Sequence, residues 1–185
     1  MTDQEVNNLL TVCNPQRRPM YMLALLTGLR RNEIRQLQWE DIHLDAVKPF
    51  LLARASTTKN GKQAVIFLRD DLVEALRELK TKTNIIRCPR IETFYKDLKT
   101  AGIARKDASG RIIDFHSLRH TLATNCALSN VPVRTAMEVM RHSSINLTTK
   151  TYTDAKLLPT ADAIESLPRF NMDAADRPDT LKKSS

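Results

Sequence analysis

Three ionisable side chains lie close together in the second half of the chain: His116, Arg119 and His120. On a helix, residues at i, i+3 and i+4 share one face, so these three side chains are expected to project to one place. An arginine can hold two oxygens of a phosphate at once, and a histidine can move a proton near neutral pH. Since neither group is cheaply buried without a partner, the pattern favours a phosphate-binding site over a core position.

Two other interpretations fit the same residues. His116 and His120 have the i, i+4 spacing of a zinc-binding His-Glu-x-x-His helix, but position 117 is serine, so the general base of that motif is missing. The sequence also offers no evident cysteine or acidic third ligand. A solvated basic helix face is the remaining alternative, and the three residues alone do not decide between these interpretations.

Further candidates are spread along the chain. Arg30 comes directly after the end of a predicted buried helix at Gly28, and Lys59 precedes an Asn-Gly pair. His142 follows the predicted end of a helix, and Tyr152 lies ten residues later in a threonine-rich segment. Taken singly, each of these residues also has an ordinary structural explanation. Arg30 fits a cation that stabilises a helix C-terminus. Lys59 fits a solvent-exposed turn, and Tyr152 fits a half-buried structural tyrosine.

Taken in order, these strings resemble the tyrosine recombinase, or phage integrase, family. They are Thr-Gly-Leu-Arg-x-x-Glu-Ile at 27–34, a lysine before Asn-Gly, His-x-Leu-Arg-His at 116–120, and His-Ser-Ser-Ile at 142–145 with a tyrosine soon after. The ordered set is far more specific than any one string. The resemblance implies the catalytic domain of a site-specific DNA recombinase. It agrees with the fold class that the element pattern predicts, a mainly helical α+β domain with one small antiparallel sheet.

The resemblance also implies which residues bind the phosphate. Arg30 and Arg119 match the two arginines that clamp the scissile phosphate. His142 matches a second histidine that hydrogen-bonds a phosphate oxygen. Charge that builds up on the non-bridging oxygens would be neutralised by these groups in a fixed geometry. We therefore expect no metal and no cofactor.

The remaining roles concern covalent chemistry and protons. Tyr152 matches the nucleophile, which would form a 3′-phosphotyrosine intermediate. Lys59 matches the general acid for the leaving 5′ oxygen, and His116 matches the residue that assists proton transfer at the tyrosine. A phenol is a poor nucleophile at its ordinary pKa near 10, so such assistance is needed.

The sequence departs from the family pattern in two places. The usual Leu-Gly-His-Ser is Met-Arg-His-Ser at 140–143, and ten residues separate His142 from Tyr152 where nine is the commonest spacing. One extra residue turns a helical side chain by about 100°, unless a loop absorbs it. The identity of the nucleophile is less affected, because Tyr21 and Tyr95 lie at the wrong places in the pattern.

Two rival functions remain open at this point. A type IB topoisomerase shares the chemistry but relaxes supercoils, and a non-catalytic DNA-binding module would need at least one catalytic position to be lost. The expected partner is double-stranded DNA, with a homotetramer on DNA for the full-length protein, and we expect neither a membrane nor a small-molecule substrate. Family members usually carry a core-binding domain ahead of the catalytic one, so we expect this chain to be an excised catalytic domain.

Composition is consistent with that prediction. The chain has 185 residues with a net charge of +8, which favours binding to a polyanion. Its cysteines, Cys13, Cys88 and Cys126, are predicted to be reduced thiols, because their spacing suits neither a disulfide framework nor a zinc site. No signal peptide is evident, so we expect a cytoplasmic protein that is associated with the nucleoid when bound to DNA. We expect one domain over residues 1–169 and a mobile polar tail over residues 170–185.

Local patterns predict the individual elements. A capping box of Thr2 and Glu5 predicts the first helix, and the apolar run 20–26 predicts a buried helix closed by Gly28. Asn32 is predicted to cap a short helix. Strands are predicted at 50–52 and 65–68, with a hairpin at residues 60–61 between them. Further helices are predicted at 71–79 and 91–99, from an Asp114 cap to about 128, and after Pro132.

Overall fold

The computed structural model describes residues 1–56, 61, 63–83, 85–106 and 110–141. The helices in this part of the chain are α1 (Asp3–Val12), α2 (Arg18–Thr27), α3 (Arg31–Arg35), α4 (Asp70–Lys82), α5 (Ile91–Thr100), α6 (His116–Leu128) and α7 (Val133–Met140). The strands are β1 (Ile42–His43), β2 (Phe50–Ala53) and β3 (Ala64–Phe67). Within the described residues, none of the helices has the length and apolar character needed to cross a bilayer. The predicted class, mainly helical with one small antiparallel sheet, is confirmed.

Helix α2 forms the centre of the core. Nearly all of its side chains are buried, and Met20, Tyr21 and Leu23 have no exposed surface. It packs against both α4 and α6. A helix that is apolar all round must be enclosed on all sides, so the run at 20–26 correctly predicted a buried helix.

The sheet has three antiparallel strands in the order β1-β2-β3. Phe50 pairs with Phe67 and Ala53 pairs with Ala64, which confirms the two predicted strands to within a residue or two. The sequence did not predict β1, because two residues are too short to show an alternating pattern. The Asn-Gly pair of the predicted hairpin includes Asn60, which lies outside the described residues.

The predicted helix caps have different outcomes. The Thr2–Glu5 capping box is present, with the Thr2 amide donating to Glu5 Oε2 at 2.8 Å and the Glu5 amide donating to Thr2 Oγ1 at 3.2 Å. For α6, the structure places Phe115 at the cap position, one residue after the predicted Asp114, although the Asp114 carboxylate accepts from the Ser117 amide at 3.1 Å. The prediction for Asn32 is wrong, because the cap of α3 is Arg30, two residues earlier, and Asn32 lies inside the helix, which begins at Arg31.

A buried carboxylate ties α5 to α2. Asp97 accepts a hydrogen bond from the Tyr21 hydroxyl at 2.6 Å and two from the Arg17 guanidinium at 2.9 and 2.7 Å. Burial and the adjacent Asp97 carboxylate raise the pKa of Tyr21. This tyrosine is therefore a neutral structural hydroxyl.

The cysteines are free thiols, as predicted. Cys13 and Cys126 are buried, and Cys88 is partly exposed. Burial raises the pKa of each of these thiols, so they are held in the protonated form.

Candidate phosphate-binding site

Arg119 is turned into the interior of the protein. Arg119 is only 2% exposed, although its side chain carries a charged guanidinium. The side chain leaves α6 and donates from Nη1 to the carbonyl of Gly28 and from Nη2 to the carbonyl of Met140. These two backbone carbonyls hold the guanidinium between the end of α2 and the end of α7.

Gly28 allows the Arg119 guanidinium to lie this close to the end of α2. It ends α2 with φ +63°, in the left-handed region that favours glycine. A Cβ atom at this position would lie 3.2 Å from Nη1 of Arg119 and 3.2 Å from Cδ2 of Leu122. The glycine therefore both reverses the chain and makes room for the buried arginine.

Arg30 follows this turn and is fixed by Glu33. The Arg30 amide donates to Glu33 Oε2 at 2.8 Å, and its Nη1 donates to Glu33 Oε1 at 3.0 Å. The Arg30 side chain remains 31% exposed, whereas that of Glu33 is 2% exposed. Glu33 thus acts as a buried anchor that leaves part of the Arg30 guanidinium available at the surface.

A third guanidinium, that of Arg141, lies at the same place. Its Nη2 donates to Glu33 Oε2 at 2.8 Å and to the Gly28 carbonyl at 3.2 Å. Gly28 and Glu33 therefore lie at the centre of a cationic corner, which we define as the guanidinium groups of Arg30, Arg119 and Arg141 with the Glu33 carboxylate.

The electrostatics of the cationic corner follow from its composition. Burial, followed by repulsion from Arg30 and Arg141, lowers the pKa of Arg119 to about 10, so Arg119 stays charged at neutral pH. Burial alone would raise the pKa of Glu33, but Arg141 and Arg30 lower it below its ordinary value. The corner thus holds three cations against one carboxylate, which favours binding of an anion.

The two histidines of α6 lie on its exposed side. The rings of His116 and His120 meet edge to face with centroids 4.8 Å apart, as their i, i+4 spacing predicts. Partial burial, the His120 ring and Arg119 lower the pKa of His116, and burial with Arg119 lowers that of His120. Both imidazoles are therefore held in the neutral form, in which a ring nitrogen can accept a proton.

Three predicted site residues lie outside the described residues: Lys59, His142 and Tyr152. The structure brings together Arg30 and Arg119, with His116 on the same helix as Arg119. Within residues 1–56, 61, 63–83, 85–106 and 110–141, no group of three or more His, Cys, Asp or Glu side chains is arranged to hold a metal ion.

No sequence pattern predicted a site role for Gly28, Glu33 or Arg141. Gly28 and Glu33 belong to the Thr-Gly-Leu-Arg-x-x-Glu-Ile string. The spacing of Arg30 and Glu33 is that of a capping box, in which the glutamate side chain accepts from the amide that precedes the helix, so this contact could have been predicted. In the sequence, Arg141 is only a departure from the glycine of the family pattern. Its contacts are with residues more than 100 positions away, so no local pattern could reveal them.

The fold agrees with the comparisons with known proteins. Residues 1–157 match the model of the phage integrase family, and the chain belongs to that family. It is 29% identical over 153 residues to tyrosine recombinase XerA of Saccharolobus solfataricus, a match that covers 80% of this chain and 50% of that protein. The chain spans about half the length of the relatives it matches.

Solved structures show the same fold. The catalytic domain of bacteriophage HP1 integrase aligns with a TM-score of 0.66 at 21% identity and covers 96% of this chain and 98% of that one. XerH recombinase bound to its palindromic difH substrate, in a post-cleavage complex, aligns with a TM-score of 0.67 at 21% identity and covers 89% of this chain and 52% of that one.

Proposed function

We propose that this chain is the catalytic domain of a site-specific DNA recombinase that cuts and rejoins DNA through a 3′-phosphotyrosine at Tyr152. The observation that carries the proposal is the cationic corner, in which Arg30 and Arg119 are fixed by Glu33 and by two backbone carbonyls. Cations held in place before the substrate arrives stabilise the charge of a phosphoryl-transfer transition state without reorganisation.

The proposed reaction transfers one phosphoryl group and needs no external energy. The Tyr152 oxygen attacks phosphorus and loses its proton with the help of His116, while the bond from phosphorus to the 5′ oxygen breaks. Lys59 supplies the proton that the leaving 5′ oxygen needs, and His142 donates to a non-bridging oxygen. The 5′-hydroxyl of another strand then attacks the phosphotyrosine, and the tyrosine leaves.

The positions of the other tyrosines support Tyr152 as the nucleophile. The sequence contains three tyrosines. Tyr21 has no exposed surface and donates to Asp97, and Tyr95 packs against the core under Arg105, whose Cζ lies 3.8 Å from the ring centroid. The Tyr21 hydroxyl is thus committed to Asp97, and the ring of Tyr95 is engaged by Arg105, whereas Tyr152 is the tyrosine that fits the family pattern.

The proposed partner is double-stranded DNA. A net charge of +8 favours a polyanion, and the solved XerH complex contains its DNA substrate. We further propose that the full-length protein assembles as a homotetramer on DNA and works in the cytoplasm, associated with the nucleoid when bound.

A covalent-capture experiment tests this function. The chain is mixed with a pool of nicked duplexes whose sequence is randomised around the nick, so that cleavage releases a short 5′ fragment and traps the adduct. We expect an adduct from the wild type and from the matched control Tyr95→Phe, and none from Tyr152→Phe. Sequencing the trapped DNA would identify the site.

The outcomes separate the rival functions. An adduct that persists in Tyr152→Phe, or no adduct with any sequence in the pool, would contradict the proposal. Relaxation of supercoiled plasmid without strand exchange would indicate a topoisomerase.

A further inference from the structure

Arg141 occupies a backbone conformation that normally suits glycine. It ends α7 with φ 50° and ψ 44°, in the left-handed region. A residue with a side chain costs about 1–2 kcal/mol in this region. The side-chain contacts of Arg141 therefore have this backbone cost to offset.

The Arg141 side chain is largely buried, and some of its hydrogen-bond donors have no partner among the residues that the structure describes. It is 10% exposed, and its Nη2 is the atom that bonds to Glu33 and Gly28. Its other two nitrogens, Nε and Nη1, are covered and have no hydrogen-bond partner in the described part of the chain. Buried N–H groups of a cation are costly when unpaired, so these donors are suited to an anionic ligand.

The neighbours of Arg141 point to the same ligand. Arg119 and Arg141 donate to the same Gly28 carbonyl, while Arg30 and Arg141 donate to the same Glu33 carboxylate. One carboxylate cannot neutralise three guanidinium groups. The corner therefore carries an excess of positive charge, and Arg30, with 31% of its side chain exposed, is the one of these three arginines that is most open to solvent.

We propose that Arg141 is a third phosphate-binding arginine, which donates from Nε or Nη1 to a non-bridging oxygen of the scissile phosphate. This inference rests on the proposed function, and it adds a third arginine to Arg30 and Arg119 as ligands of the phosphate. Because both nitrogens are covered in the free protein, the guanidinium turns toward Arg30 as the phosphate binds. During this movement Nη2 keeps its hydrogen bond to Glu33, which restricts how far the guanidinium can turn.

Binding of inorganic phosphate tests the inference without DNA. The apparent affinity is measured from the phosphate-dependent rise in melting temperature, with chloride used to match ionic strength. Arg141→Gly should weaken binding by at least about tenfold, since a hydrogen bond to a charged group is lost. Glycine suits the left-handed backbone, so this variant is expected to fold.

Two further variants serve as controls. Arg134→Ala removes the same charge from α7, the helix that Arg141 caps, at a side chain that is 77% exposed, and it should leave phosphate affinity within about twofold. Arg141→Lys keeps the charge but loses the planar donor group, so its affinity should lie between those of the wild type and Arg141→Gly. If Arg141→Gly fails to fold, Arg141→Lys and Arg141→Gln give the same comparison.

The possible results separate failure of the inference about Arg141 from failure of the proposed function. Unchanged phosphate affinity in Arg141→Gly overturns the inference, and tighter binding overturns it too, because Arg141 would then block the phosphate. If the wild type forms DNA adducts in either case, the recombinase proposal stands. Phosphate binding that depends on Arg141, in a chain that never forms an adduct, would overturn the proposed function and the assignment to a scissile phosphate.

Discussion

Arg119 and Gly28 lie 91 positions apart in the chain, and a hydrogen bond from the arginine Nη1 to the glycine carbonyl joins them in the interior. The bond connects α6 to the turn that delivers Arg30. Any change at one of these two residues should therefore affect both the stability of the domain and the phosphate site.

Arg119→Ala should show both effects. Removing the guanidinium takes its hydrogen bond away from the Met140 carbonyl and leaves the Gly28 carbonyl with the 3.2 Å bond from Arg141, at a cost of about 1–3 kcal/mol for a buried group left unpaired. The cleavage rate should fall by at least about 10²-fold, as when one preorganised donor is removed. Urea unfolding and adduct formation measure the two effects, and a stable variant with less than about a tenfold rate loss would argue against a phosphate clamp.

Gly28→Ala isolates the close approach to Arg119. Gly102 provides a matched control, because it also has a positive φ, of 72°, but a Cβ there would meet nothing within 4 Å. Both alanine variants should lose about 1–2 kcal/mol from the left-handed backbone. Only Gly28→Ala should also slow DNA cleavage, and equal cleavage by the two variants would refute the packing explanation.

Acid should destabilise the protein through the two histidines of α6. Their pKa values are lowered in the folded state, so the unfolded chain binds more protons once the pH falls through the ordinary value near 6.5. The free energy of unfolding should therefore decrease as the pH falls from about 7.5 to about 5.5. The double variant His116→Gln, His120→Gln should lose less stability over that interval, and an identical loss in both proteins would contradict the assignment.

Cleavage should be independent of metal ions. The arginines already supply the positive charge that a divalent cation would bring, so adduct formation should persist in EDTA. Metal analysis of the purified protein should find no stoichiometric zinc. About one zinc per chain, lost in His120→Ala, would instead support a site at His116 and His120.

Lys59 can be tested by changing the leaving group. Lys59→Ala should cleave ordinary DNA slowly but should be largely rescued by a 5′-phosphorothiolate at the scissile bond, because sulfur leaves without a proton. Equal defects on the two substrates would make Lys59 a binding residue.

Local patterns predicted the elements that are decided locally. The Thr2–Glu5 box and the apolar run of α2 each depend on a few adjacent residues, and the structure confirms both. Asn32 was the expected cap of α3, yet the helix begins earlier because the Arg30 amide is satisfied by Glu33. Residue type alone favoured asparagine at that position, whereas the carboxylate decided the helix start.

The cationic corner was only partly predictable. Arg30 and Arg119 could be selected because they belong to strings with a recognisable order. The inward turn of Arg119 and the role of Arg141 depend on backbone carbonyls and a carboxylate contributed by distant parts of the chain. Such contacts are determined by tertiary packing, which a sequence pattern with a period of a few residues does not contain.

The two carbonyls that hold Arg119 also set the order in which the site can form during protein synthesis. Gly28 leaves the ribosome before Arg119, but Met140 follows it by 21 residues. A nascent chain that lacks α7 has the arginine held from one side only, and it also lacks Arg141. The complete cationic corner therefore forms only after α7 has been synthesised, when the residues of the main core cluster, which end at Leu118, are already in the chain.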